Sequence, residues 1–335
     1  MHLSQPYLLF LGDAPDTLSA KTARGILQWR PEVCLGQLSL PGCVPSLGLR
    51  EMTVAEAATA GAATLVVGVA NRGGVISESW RGVFLEALAA GLDIAAGLHQ
   101  RLNDIPELVE AARTHGRMLY DVRHPTETFP VAHGTPRTGK RVLAVGTDCS
   151  VGKMYTMLAM ERALKARRLK ADFRATGQTG ILIAGEGVSV DAVVADFISG
   201  ATEVLCPAND PDHIDLVEGQ GSLFHASYAG VSLGLLHGAQ PHYLVLCHEP
   251  GRPHMRGLPG YPLPDLQDCI DLNLRCAHLV NPEARFIGAA FNTVALDDDA
   301  ARRVMHDAAE RLGMPCVDPV RTGVEPLVDR LIADA

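Results

Sequence analysis

The chain has 335 residues, 47% hydrophobic and 20% charged, and its 29 Lys and Arg against 38 Asp and Glu give a net charge of −9. That length and composition suit two domains of ordinary size with a substantial core, and they exclude extended disorder. An acidic chain without a basic run excludes nucleic acid and the membrane surface as partners.

No apolar run approaches the length of a membrane span, and Tyr7–Leu11 is too short for a secretory leader. The eight cysteines are scattered and form no Cys-x-x-Cys pair, so reduced thiols in a cytoplasmic protein are expected. Tyr7–Leu11 reads as a strand ending at Gly12-Asp13. A helical spacing over Leu18–Trp29 stops before Pro31, and Val33–Gly36 is a weak strand. Thr53 can cap a helix running through Ala60. Thr64–Val69 is a strand that ends in Ala70-Asn71-Arg72-Gly73-Gly74. A helix over Trp80–Ala90, a strand at Asp93–Ala96, a helix from Pro106 to about His115 and a strand at Met118–Asp121 follow. Strands alternating with helices in this way predict a parallel, doubly wound sheet over residues 1–121. Gly-x-Gly-x-x-Gly is absent from it, so dinucleotide binding by this half is not supported, and its strand-end loops are open to a substrate or an interface role.

Residues 122–140 carry three prolines and two glycines between Arg123 and Lys140, the composition of a linker or an ordered crossover. A second α/β domain, 141–335, opens on Val142–Val145, which runs into Gly146-Thr147-Asp148-Cys149-Ser150-Val151-Gly152-Lys153 and a helix through about Ala166. Strand, glycine-bounded loop, Lys and helix start together make an anion cradle of backbone N–H groups, helix dipole and ammonium. The nucleotide pattern asks for Gly, four residues, then Gly-Lys-Ser/Thr. Here Thr147 stands where the first Gly belongs, and Met154 replaces the hydroxyl that would hold magnesium. The loop therefore points to phosphate more than to ATP with magnesium. Asp172–Thr176 is expected as a strand before a loop at Gly177–Gly180, and Val190–Ile198 as a helix capped by Ser189. Strands are also expected at Asp215–Glu218, Tyr243–Cys247, Phe286–Asn292 and Cys316–Val320. Helices are expected at Leu266–Ala277, Ala300–Leu312 and Val324–Ile332. In such sheets the loops after the carboxyl ends share one rim, where ligands bind.

That rim supplies the remaining candidates. Glu218, at a strand end beside Gly219-Gln220-Gly221-Ser222, can take a proton or hold a metal. His225 is a second candidate base. Arg174, Gln178 and Arg256, the last in the long loop from His248 to Pro259, can grip carboxylates, and Arg252 lies in the same loop. Asp191 and Asp196 lie five apart and do not share a helix face well. His-Glu-x-x-His and Gly-x-Ser-x-Gly are absent.

Gly146 to Lys153 resembles the phosphate loop of dethiobiotin synthetase, and Glu218-Gly219-Gln220-Gly221 resembles that enzyme's Glu-Gly-Ala-Gly segment. The chain as a whole resembles the DgcN-type D-glutamate N-acetyltransferase family, formerly a domain-of-unknown-function P-loop family. The resemblance rests on Val67–Ser77, Gly97-Leu98-His99, Asp121–Pro125, the phosphate loop, Phe173–Gly180, Glu218–Phe224, His254–Gly257 and Asp318–Gly323. It implies a Rossmann-like domain followed by a P-loop NTPase-like domain, both α/β with parallel sheets. It also implies transfer of acetyl from acetyl-CoA to the amine of D-glutamate, with other D-amino acids as further acceptors, in D-amino-acid catabolism, with an epimerase acting on the product. Residues 146–153 are then expected to hold the phosphates of coenzyme A without a metal, Glu218 or His225 to serve as base, and Arg174, Gln178 and Arg256 to bind the amino acid. The chain is expected to form a homo-oligomer and to bind neither nucleic acid nor membrane. An ATP- and magnesium-dependent ligase or kinase like dethiobiotin synthetase is the alternative, and a non-catalytic nucleotide-responsive protein the third reading.

Overall fold

The computed structural model describes residues 1–71 and 73–334, so Arg72 of the 71–74 turn lies outside the described residues. Two compact units result. The first comprises Met1–Glu127 with Gly177–Ala192, the second Thr128–Thr176 with Val193–Ala335.

The first unit is built on β1 (Tyr7–Gly12), β2 (Cys34–Ser39), β3 (Thr64–Val67), β4 (Asp93–Ala96) and β5 (Leu119–Asp121), paired in parallel in the order β2-β1-β3-β4-β5. All six residues of β1 and all four of β3 and of β4 are buried, which is why these strands read as unbroken apolar runs and not as alternating ones. The helix Glu78–Ala89 packs Trp80 and Phe84 edge-on against Phe10, with ring centroids 5.5 and 5.3 Å apart. Burial of such side chains stabilises by about 1.5–3 kcal/mol each. Thr53 caps the helix Val54–Thr59 in a complete capping box: its hydroxyl accepts the Glu56 N–H at 3.2 Å while Glu56 Oε2 accepts the Thr53 N–H at 2.8 Å.

The second unit holds β6 (Lys140–Gly146), β7 (Ala171–Arg174), β8 (Ile214–Val217), β9 (Tyr243–His248), β10 (Arg285–Phe291) and β11 (Cys316–Val317), parallel throughout, in the order β11-β10-β9-β6-β8-β7. β6 lies between β8 and β9, with Leu143 opposite Val217 and Gly146 opposite Cys247. The strand order reverses about β6, so the loop that follows it leaves the sheet where open α/β folds bind ligands.

Three stretches differ from the sequence expectation. Gln178–Ala184 is a helix and not a loop, and it packs with the first unit. Residues 190–198 form two short 3-10 turns before a helix at Ile198–Leu205. The helix Ala229–Ala239 has no counterpart in the sequence reading, because its glycines weaken helix propensity and packing against Ile198–Leu205 supplies its stability. The Pro/Gly stretch after Glu127 is an ordered strap on the second unit: Glu203 accepts the N–H groups of His133 and Gly134 at 2.8 and 2.9 Å, and Arg137 donates to the Gly238 carbonyl at 2.5 Å. Among the described residues no helix is long and apolar enough to cross a membrane.

Candidate functional site

The buried strand β6 delivers Gly146 to the carboxyl edge of its sheet, and the loop from Thr147 turns into the helix Lys153–Ala166. Gly152 makes that entry with φ +101°, a backbone conformation side chains disfavour. No side chain caps the helix start. The N–H groups of Ser150, Val151, Gly152 and Lys153 find no hydrogen-bond partner among the described residues. Lys153 is buried, and its Nζ turns back to donate to the carbonyls of Asp148 at 2.8 Å and Gly221 at 2.9 Å. Burial lowers its pKa from the ordinary lysine value. Free N–H groups, a helix N-terminus and a buried ammonium on one loop have the chemistry of an anion cradle.

The loop is held from behind. Asp148 is fully buried; its Oδ2 accepts from Arg252 Nη1 at 2.6 Å and the Arg256 N–H at 2.8 Å, and its Oδ1 accepts the Cys149 N–H at 2.7 Å. Burial alone would raise its pKa, but the Arg252 hydrogen bond and the two N–H groups outweigh burial and hold the carboxyl below the usual range. Arg252 also donates to the carbonyls of Cys149 at 2.7 Å and Ser150 at 3.2 Å and to Glu249 Oε2 at 2.5 Å, while the Arg256 guanidinium donates to Ser150 Oγ. Both arginines of the long loop therefore strap the cradle.

His225 joins the same frame. Its Nδ1 accepts the Ser227 N–H at 3.1 Å and its Nε2 donates to the Arg256 carbonyl at 3.1 Å, so both ring nitrogens are engaged. Asp148, Cys149 and His225 bring one ligand atom each within 4.8 Å of one another, the arrangement among the described residues that could hold a metal; the Asp148 carboxylate and the His225 ring are already engaged as described. His248, which the sequence reading passed over as part of a long loop, lies beside the cradle. Its Nδ1 is 3.0 Å from Thr147 Oγ1, and burial together with repulsion from Arg252 pushes its pKa down to about 4. It is neutral at ordinary pH. The only sequence signal was its position at a strand end.

The remaining candidates separate. Glu218 is buried, with Oε2 accepting the Thr176 N–H at 2.9 Å and its carbonyl accepting the Thr176 hydroxyl at 2.6 Å. Gly219 follows because a Cβ there would lie 1.7 Å from the Ala144 carbonyl oxygen. Arg174 Nε is tied to buried Asp215 at 2.7 Å, and Asp215 also meets His213 Nε2 at 3.2 Å. Gln178 belongs to the first unit, where its Oε1 accepts from Arg123 Nη1. Two residues past Met154, the Thr156 hydroxyl donates to the Gly152 carbonyl at 2.9 Å.

Comparison with known proteins agrees with this architecture. Residues 130–328 match DUF1611, a domain of unknown function described as a P-loop domain, and residues 43–125 match its Rossmann-like N-terminal domain. The chain is 56% identical to a D-glutamate N-acetyltransferase of Tritonibacter scottomollicae over 99% of both chains. It is 48% identical to a D-glutamate N-acetyltransferase of a Pseudoalteromonas species over 99% of this chain and 100% of that one. The crystal structure of a DUF1611 family protein from Anabaena variabilis superposes with a TM-score of 0.82 at 32% identity, covering 98% of this chain and 100% of that one. The chain belongs to the DUF1611 family, with a Rossmann-like domain ahead of a P-loop domain.

Proposed function

From membership of that family we propose that this protein is an N-acetyltransferase that moves an acetyl group from acetyl-CoA to the amine of D-glutamate. Two full-length relatives bearing that activity in their names support the reaction. The observation that carries the donor is the row of free N–H groups from Ser150 to Lys153 around a buried ammonium. Coenzyme A brings a diphosphate and a 3′-phosphate, and an N–H nest with a lysine accepts either without a metal. An ATP-magnesium ligase fits less well, because residue 154 is Met and the Thr156 hydroxyl is spent on the helix backbone. The proposal extends to a cytoplasmic homo-oligomer acting in D-amino-acid catabolism, with an epimerase taking its N-acetyl product.

The test is to incubate the protein with D-glutamate and acetyl-CoA, and separately with D-glutamate, ATP and magnesium. Thiol release that depends on D-glutamate, with no ADP formed, is the expected outcome; ADP without thiol release rejects it. Lys153→Ala should weaken coenzyme A binding about 100-fold, since it removes a charged donor to phosphate and the loop's own brace. Equal calorimetric affinity of variant and parent would reject the cradle as the donor site.

A further inference from the structure

The first unit carries a groove of about 410 Å³, while the anion cradle belongs to the second. That volume lies within the range of small-molecule sites, about 300–1,000 Å³. One wall is the helix Lys21–Trp29, on which Arg24, Leu27 and Gln28 share a face at i, i+3 and i+4. Thr17, on the loop between β1 and that helix, extends this wall, and residues 45–47, on the loop after β2, make the other. β1 and β2 run parallel, so both loops leave the sheet at its carboxyl edge, where open α/β sheets bind ligands.

Both walls are fixed from beneath. A Cβ on Gly68 would lie 2.4 Å from the Ala23 Cβ, so the helix rests directly on the backbone after β3, and the Ala23 N–H donates to the Gly68 carbonyl at 3.2 Å. Gln37, a buried residue of β2, holds the other wall. Its Oε1 accepts the Leu47 N–H at 2.8 Å, and its Nε2 donates to Ser46 Oγ at 3.4 Å and to Glu51 Oε2 at 2.8 Å. The Val44 N–H donates to the Ala14 carbonyl at 2.9 Å and ties the two loops together. The groove is therefore formed before a ligand enters, and binding loses little entropy in ordering it.

Its lining has one sign of charge. None of the described residues that line it is acidic, and the Arg24 guanidinium and Thr17 hydroxyl have no hydrogen-bond or ion-pair partner among the described residues. Asp16, next to Thr17 in the chain, is taken by Ser19, whose N–H and hydroxyl donate to it at 2.7 and 2.9 Å. The rest of the lining is partly apolar: Pro45 is buried, and Leu27 and Leu47 are half-buried. A lone exposed arginine is commonplace. One that lines a preformed hollow with two leucines and a proline, and meets no acid there, selects an anion that carries apolar carbon. We infer that this groove binds a small amphiphilic carboxylate, its charged end on Arg24 and the Thr17 hydroxyl and its hydrocarbon against Leu27, Pro45 and Leu47. A free short-chain fatty acid and an N-acylated amino acid share that chemistry. The site stands whether or not the protein transfers acetyl groups.

The test is calorimetric titration of the full chain with hexanoate and, separately, with N-acetyl-D-glutamate, using hexan-1-ol as the probe that lacks the charge. At least one of the two carboxylates should bind saturably, and hexan-1-ol should bind at least about tenfold more weakly than that ligand. Arg24→Met should weaken the carboxylate roughly 10- to 100-fold, the loss expected for a charged hydrogen-bonded contact. Arg24→Lys should restore part of that affinity, because the charge survives without the planar fork. Leu47→Glu sets a like charge in the groove and should weaken binding as well, which keeps the test decisive if Arg24→Met folds poorly. Hexanoate as the tighter ligand assigns the groove to a fatty acid, and N-acetyl-D-glutamate as the tighter one assigns it to an acylated amino acid. The site is overturned if neither carboxylate saturates or if hexan-1-ol binds as tightly as they do. It is equally overturned if Arg24→Met and Leu47→Glu both keep the affinity of the parent.

Discussion

Around the loop after β6 and on the turn after β5, an arginine and a histidine gather at the carboxyl ends of parallel strands, and they are used in opposite ways. At the β6 loop, Arg252 meets two carboxylates and two carbonyls, His225 is bonded at both ring nitrogens, and Asp148 is buried beneath them. The side chains there are structural, and the groups left unpaired are backbone N–H groups. At the β5 turn the backbone is pinned by Asp121, Arg123 donates to Gln178 and, at 3.5 Å, to Asp191, and the atoms with no partner among the described residues are Arg123 Nε and His124 Nδ1. The first arrangement is the one proposed above for phosphate. A strand-end arginine is therefore not evidence of a substrate contact until its partners are known; Arg174 and Arg256 looked like carboxylate grips, and both hold the protein together.

If the contrast is right, the largest stability effect lies at Asp148. Asp148→Ala leaves Arg252 with Glu249 as its carboxylate partner, strips the Cys149 and Arg256 N–H groups of their acceptor, and should destabilise the fold by about 3–5 kcal/mol, read as a shift in urea midpoint. A loss under 1 kcal/mol would mean that the strap is ornamental.

The next effect is pH-dependent. His248 titrates at about 4 when folded against an ordinary 6.5. Between these values the unfolded chain binds a proton that the folded chain refuses. Its contribution is fully present above pH 6.5 and is lost as pH falls toward 4, by about 3 kcal/mol. His248→Gln should flatten that part of the stability curve relative to the parent. An unchanged slope would show that the ring takes its proton without strain.

The smallest effect sharpens the other side. Arg123→Met and His124→Gln should each change unfolding free energy by no more than about 0.5 kcal/mol, the range for partly exposed groups outside a buried network. Losses of several kcal/mol at either residue would make the β5 turn a scaffold like the β6 loop and erase the distinction.

The sequence by itself determined the two α/β domains, most of their strands and the strand–loop–helix passage through Gly152-Lys153. These signals are local: buried parallel strands are unbroken apolar runs, and Gly152-Lys153 after a strand and before a helix specifies an N–H nest through neighbouring residues. The complete capping box at Thr53 and Glu56 was legible in part for the same reason. Partnerships across the chain were not legible. Arg252 finds Asp148 across 104 positions, Arg174 finds Asp215 across 41, and Arg123 finds Gln178 across 55. The packing of 177–192 with the first unit, and the helix at 229–239, likewise rest on contacts that no local pattern encodes. Whether an arginine is spent or free depends on which carboxylate the fold brings to it, and only the tertiary structure decides that.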